Sequence, residues 1–304
     1  MSTRATGIAL ALATAAISGV AVFLNAYAVK RFGDPTAYTT AKNAVAALIL
    51  LLLALPTLRA SCQAGRPAPR PRSRRDWLAL CAVGVVGGSV PFVLFFEGLA
   101  RASSTEAAFI HKTLVVWVVL LAVPLLRERL SWLQGAAIAL LVLGQAALVG
   151  GTGTVTVGQG EVMILAATLL WAGEVVFVKY LLRSLAAPTL AAARLGIGTL
   201  LLVGFVLASG RGGEIAAYGA SEWGWALLTG LVLAGYVATW YAALARAQAV
   251  DVTAVLVLAA IVTALLNAGF EGAPVDALGL GLIALGGGLI VVRALGRAYR
   301  PATA

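Results

Sequence analysis

The stretch TEAAFIHKTLVVW, residues 105–117, holds the chain's single histidine, His111, beside Lys112. The residues that follow, to Leu126, are almost entirely apolar. In such surroundings an ammonium needs an anion, and an imidazole can hold or pass a proton because its ordinary pKa is about 6.5. Neighbouring residues on a helix diverge by roughly 100°, so the two side chains cannot serve one ligand as a stacked pair. Lys112 is the expected cavity-facing member, because burying its charge without a partner costs more, and it could receive a carboxylate. His111 is then a proton relay or a neutral ring bonded to a backbone carbonyl.

Glu174 is the deepest acid in the apolar segments. Trp171 precedes it by three residues, which sets both on one helical face. The glutamate is expected either to bind a substrate amine or a proton, or to pair with a lysine from another helix. Lys42 and Arg194 are further cations deep enough for a cavity role, and Tyr236 and Trp240 share a face that could form an aromatic wall, although such rings more commonly lie at the interface or face lipid. An ionisable group at the centre of a membrane span costs at least ~2.5–3.5 kcal/mol and commonly marks a ligand or ion path.

Other polar positions read structurally. Glu97 and Arg101 are spaced to pair at i, i+4, and Ser103 and Glu106 are spaced as a capping box. Lys179 and Arg183 can reach an interface by extending their stems. Gly84 and Gly88 in GVVGG permit close helix contact. Pro91 and Pro124 mark candidate kinks.

There is no HExxH, GxSxG or phosphate-binding loop. Cys62 and Cys81 lack CxxC partners, and one histidine cannot complete a usual zinc site. The expectation is therefore no enzyme, no metal and no cofactor.

The elements that carry these residues follow from composition. Hydrophobic residues make up 61% and charged residues 11% of 304 residues, and the net charge is +10. Mean hydropathy is +0.98. A soluble chain would be about one quarter charged, so the outer surface must face lipid. The basic excess lies in short connections and does not form a patch for nucleic acid.

Ten apolar segments are long enough to span as helices: 7–29, 36–58, 77–100, 105–126, 132–150, 160–182, 188–209, 222–245, 251–270 and 275–293. Residues 2–28 resemble a signal peptide, but the apolar run exceeds the usual ~7–15 residues and reads as a retained helix. With the N-terminus inside, inner segments hold 14 basic residues and outer segments only Lys30, Arg31, Arg101 and Arg211. That bias places both termini in the cytoplasm, in a multi-pass inner-membrane protein. The basic stretch RASCQAGRPAPRPRSRR, 59–75, reads as an orientation signal, with an anchor for anionic lipid as the alternative.

The chain also repeats. GLARASSTEAAFI (98–110) aligns with ALARAQAVDVTAV (243–255), and Pro35-Thr36 aligns with Pro188-Thr189. This divides the chain into halves, 1–150 and 151–304, of five spans each. Five is odd, so the halves enter the membrane with opposite orientation. Inverted halves suit alternating access to a midplane site. His111, Lys112 and Glu174 are not repeated, as expected if they meet an asymmetric ligand.

The 5+5 plan resembles the EamA family of the drug/metabolite transporter superfamily. WAGEVVFVK from Trp171 to Lys179, the Pro188-to-Arg194 spacing and the Glu128, Gly135, Gly144 spacing support the resemblance. It implies an all-α carrier of ten transmembrane helices in two inverted five-helix repeats, exporting small metabolites such as amino acids. Glu174 and Lys112 would meet the substrate's amine and carboxylate, with Trp171, Tyr236 and Trp240 as apolar wall. A proton is a candidate co-substrate. The alternatives are a channel-like facilitator, a permease for drugs or other metabolites, and a structural membrane scaffold.

Overall fold

The computed structural model describes residues 3–63, 71, 73–102, 104–148 and 158–299. Within them the chain is all-helical. In the first half, α1 (Thr3–Arg31) and α2 (Pro35–Gln63) are unbroken. The third span is split into α3 (Arg74–Gly88) and α4 (Val90–Leu99). The fourth is split into α5 (Ser104–Lys112) and α6 (Leu114–Leu126), and α7 (Trp132–Leu148) is the fifth. The second half has α8 (Gln159–Leu181), α9 (Ala187–Ala208), a short connecting helix α10 (Gly212–Ala216) and α11 (Ala220–Leu244). A split ninth span, α12 (Ala249–Leu256) and α13 (Ala259–Glu271), and α14 (Ala277–Tyr299) complete it.

Nine of these spans have at least 18 residues of membrane-crossing hydropathy, and α7 is shorter. Its 17 residues still fall within the usual crossing range. Leu53, Leu200 and Val292 are exposed, as a lipid-facing surface requires. Ten crossings put Thr3 and Tyr299 at one face of the bundle, the terminal face. Arg31, Ser104 and Ala220 lie at the opposite face.

The helix partners show the inverted repeat directly. α1 packs on α11 as α8 packs on α4, and α2 packs on α11 as α9 packs on α3. α1 meets α12 and α13, while α8 meets α5 and α6. The two pairs α2–α9 and α7–α14 join equivalent helices to each other. The last pair is tight because glycines line it: Gly144 lies against Gly279 and Ile283, and Gly286 against the Ala137 carbonyl. Small residues let helices approach closely where lipid offers no hydrophobic drive.

Three of the spans expected to be continuous are interrupted. Pro91 has no N–H, so the Gly87 carbonyl loses its helical donor. The Ser89 hydroxyl turns back onto the carbonyls of Gly84 and Val85, at 3.2 and 3.1 Å, and closes the end of α3. In the fourth span the Val116 N–H bonds the Thr113 carbonyl at 2.9 Å. In the ninth, Ala260 and Ile261 bond Val257 and Leu258, each at 3.0 Å. These i to i−3 bonds are the tighter 3₁₀ pattern that often marks a hinge. Thr113 and Leu258 correspond in the sequence repeat, so the breaks are themselves repeated. Pro124, by contrast, lies within an uninterrupted α6.

One further expectation meets a different outcome. Lys179 does not extend to an interface. Its Nζ donates to the Leu244 and Ala247 carbonyls, each at 2.6 Å, and caps α11. The capping box of Ser103 and Glu106 lies outside the described residues.

Candidate functional site

At mid-depth, between the halves, lies a cavity of about 130 Å³. α3 and α9 cross beside it, and the crossing depends on glycine. A methyl on Gly88 would come within 1.9 Å of the Arg194 carbonyl oxygen, and one on Gly84 within 2.6 Å of the Ile197 side chain. The inverted counterpart joins α11 to α2, where a methyl on Gly230 would lie 3.0 Å from the Lys42 carbonyl oxygen. Each half thus presses a glycine against the backbone of the other half's cavity cation.

Arg194 and Glu174 form a buried ion pair, with Arg194 Nη1 3.4 Å from Glu174 Oε2. The Tyr241 hydroxyl donates to the other carboxylate oxygen, Oε1. Both oxygens of Glu174 are therefore engaged. Trp171, one turn away on the same face, donates its indole N–H to the Gly87 carbonyl at 3.1 Å. That is the carbonyl freed by Pro91, so the tryptophan also satisfies the break in the third span.

Lys42 differs. The residue is 2% exposed, and none of the described carboxylates forms an ion pair with it. Its Nζ lies 3.2 Å from Asn25 Oδ1 and 4.1 Å from the centre of the Phe96 ring. Asn25 Oδ1 also accepts from the Tyr38 hydroxyl at 2.6 Å, while its Nδ2 donates to the Ala21 carbonyl at 2.7 Å.

The walls are aromatic. Tyr236 and Trp240 stack at 5.9 Å and 12°, and both line the cavity. Phe92, Phe95 and Phe96 line it from α4. His111 sits 5.1 Å from Trp171 and 5.2 Å from Phe95, ring centre to ring centre. Its Nδ1 is buried and makes no hydrogen bond.

Of the residues singled out from sequence, Glu174, Trp171, His111, Tyr236, Trp240, Lys42 and Arg194 come together on this cavity. Lys112 does not. It is His111 that turns inward, while Lys112 lines an adjoining cavity of about 220 Å³. The two cavities share Val22, Asn25, Phe95 and His111. The second runs along α1, α4 and α5 past Val29, Leu99 and Ala102, toward the face opposite the termini. Asn25, Tyr38, Tyr241 and the three phenylalanines were missed in the sequence. Asn25 had a usable signal, as an amide within an apolar run.

The terminal face is tied by polar contacts. Arg4 meets Asp251 at 2.6 Å, and Gln134 donates to the same carboxylate at 2.6 Å. Glu128 accepts from the N–H groups of Ala249 and Val250, at 2.7 and 3.1 Å, at the start of α12. At the opposite face, Glu97 accepts from Arg101 and Arg211, each at 2.7 Å, and from Thr36 at 2.6 Å.

The family model described as the EamA-like transporter family matches residues 5–150 and again 158–293. No curated protein sequence matches the chain. Among solved structures, one titled only as a crystal structure of a protein superposes with a TM-score of 0.71. It is 17% identical, and the match covers 94% of this chain and 98% of that one, a likeness of fold. Two matches of one five-helix unit account for nearly the whole sequence, and the chain belongs to the EamA-like transporter family.

Proposed function

We propose that this protein is a secondary carrier that exports a small metabolite across the cytoplasmic membrane by alternating access. The observation behind the reading is the central cavity, walled by both inverted halves. Lys42, Phe92 and His111 come from the first half; Glu174, Arg194, Trp171, Tyr236 and Trp240 come from the second. Those eight residues form the substrate site in this reading, with Lys112 on the path to it.

The cavity adjoins a space running along α1, α4 and α5 toward the face opposite the termini; polar ties stand at both faces, Glu97 with Arg211 and Thr36 at that one and Arg4, Asp251, Gln134 and Glu128 at the other. By the positive-inside bias the terminal face is cytoplasmic, so the side on which the adjoining cavity lies makes this geometry the outward-facing state in this reading. Exchange to the inward-facing state breaks the Arg4–Asp251 pair and bends the fourth and ninth spans at Thr113 and Leu258, where the helical ladder is already loosened.

Counterflow in proteoliposomes is the test. Vesicles preloaded with a mixture of amino acids and small organic acids are given labelled members of the same mixture. Saturable accumulation of label is expected, because a carrier exchanges substrate across one site. Linear, unsaturable equilibration would indicate a pore, and no flux from folded, inserted protein would indicate a scaffold. Internal pH followed during flux tests whether a proton moves with the substrate.

A further inference from the structure

We propose that the central cavity takes a monoanionic substrate with an aromatic body, its carboxylate anchored on Lys42, and not a zwitterionic amino acid. The proposal rests on the carrier reading above and names the substrate class of that site.

The charges facing the cavity do not balance. Glu174 is the only acid among the described lining residues, and it is already neutralised by Arg194. Lys42 is left over. Its ammonium is buried, touches one amide oxygen and lies over the Phe96 ring. A ring face and an amide dipole compensate a buried cation only in part. A ligand carboxylate would complete the set with a charge-assisted hydrogen bond.

An ammonium finds no such place. Each Glu174 oxygen already takes one donor, Tyr241 at Oε1 and Arg194 at Oε2, so an added ammonium would share a charge that Arg194 already offsets and would lie beside its guanidinium. Displacing Arg194 leaves a guanidinium buried without its partner, and an unpaired buried charge is strongly unfavourable. The amine of an amino acid would therefore be desolvated for a carboxylate whose charge is already shared, beside two buried cations, Arg194 and Lys42.

The rest of the wall suits a ring. Phe92, Phe95, Trp171, Tyr236 and Trp240 present aromatic surface, where edge-to-face and offset contacts with a ligand ring are favourable. His111 lines the cavity as well, and its buried Nδ1 has no hydrogen-bond partner.

The test uses the full chain and three probes of one skeleton: 3-phenylpropionate, phenylalanine and 2-phenylethylamine. Binding is read by quenching of tryptophan fluorescence, since Trp171 and Trp240 line the site, and flux by counterflow in proteoliposomes. Phenylpropionate is expected to bind at least ten times more tightly than phenylalanine, with no binding of the amine. Lys42→Gln should weaken phenylpropionate at least tenfold, and Lys42→Arg should recover part of the loss. Thermal melts of both variants establish that they are folded. A preference for phenylalanine or the amine overturns the proposal, as does Lys42→Gln binding phenylpropionate normally, or no probe binding at all. Lys42-dependent binding without counterflow would support the substrate class and overturn the carrier reading. Saturable flux of a different class would do the reverse.

Discussion

Lys42 and Arg194 stand in corresponding helices of the two inverted halves, and only Arg194 has a carboxylate beside it. The scaffold is duplicated, while the charge pattern on it is not. The paired side of this asymmetry makes a stability prediction. Arg194→Gln leaves Glu174 buried with a tyrosine hydroxyl but no cation, and breaking a buried pair from one side costs about 3–5 kcal/mol. Removing both charges with Glu174→Gln and Arg194→Gln should recover more than half of that loss. Unfolding of the three variants in detergent checks the ranking; equal losses in the single and double variants would show that the pair is not coupled.

The glycine contacts predict a graded series. Gly88→Ala drives a methyl into the Arg194 carbonyl, and backbone cannot yield as a side chain can. Overpacking of this kind costs about 1–3 kcal/mol or more. Gly230→Ala meets the Lys42 carbonyl and the Val45 side chain at 2.7–3.0 Å and should cost less. Gly204 in α9 has nothing within 4 Å, so Gly204→Ala should be neutral or slightly stabilising, since alanine is the better helix former by up to ~1 kcal/mol. Melting temperatures should follow the order Gly88→Ala, Gly230→Ala, Gly204→Ala from lowest to highest.

The spans and the repeat were legible because apolar length and period survive in a single sequence. The deep ionisable residues were legible because their burial is costly. The direction each one faces was not. His111 and Lys112 are adjacent, and the cost of burying a lysine suggested that Lys112 would face the cavity. The structure turns His111 inward instead, with the helix interrupted directly after Lys112 at Thr113. The breaks themselves carry little sequence signal: Pro91 marks one, but Thr113 and Leu258 are ordinary helix residues. Tyr241 was hidden beside Trp240, because a tyrosine at this depth reads as wall until its hydroxyl is seen on Glu174.

Trp171 and Pro91 should be energetically coupled. With proline at 91 the Gly87 carbonyl depends on the indole N–H, so Trp171→Phe leaves a buried acceptor unsatisfied at a cost of about 1–3 kcal/mol. Pro91→Ala restores a backbone N–H that can close the helix onto Gly87. In that background Trp171→Phe should cost measurably less. A double-mutant cycle on unfolding free energies measures the difference, and strict additivity would mean that the hydrogen bond carries no weight.

Glu128 links stability to pH at the terminal face. Burial pushes its carboxyl above the ordinary value, against the pull of the Val250 and Ala249 N–H groups and the Lys179 charge, with Asp251 adding to the rise. The folded state thus holds this proton more tightly than the unfolded state. Its contribution is fully present below the unfolded carboxyl value of about 4.3 and is lost as pH rises through the raised folded value. Melting temperature should therefore fall more steeply above pH 4 in the parent protein than in Glu128→Gln. Parallel curves for the two proteins would contradict this.

Arg127 ends α6 in the left-handed region, with φ of 56°, and is the one non-glycine with positive φ among the described residues. Its counterpart in the repeat is Gly272, which ends α13 with φ of 65°. Both use the same cap: the Arg127 N–H bonds the Ala122 carbonyl, and the Gly272 N–H bonds the Asn267 carbonyl. A left-handed conformation costs a side-chain-bearing residue roughly 1–2 kcal/mol. Arg127→Gly removes that strain but frees the unfolded chain, which offsets part of the gain. The net expectation is a stabilisation of about 0.5–1 kcal/mol, and Gly272→Ala should lose a similar amount. Paired melts of the two variants read both signs at once, and they should move in opposite directions because one backbone shape is being tested in two inverted settings.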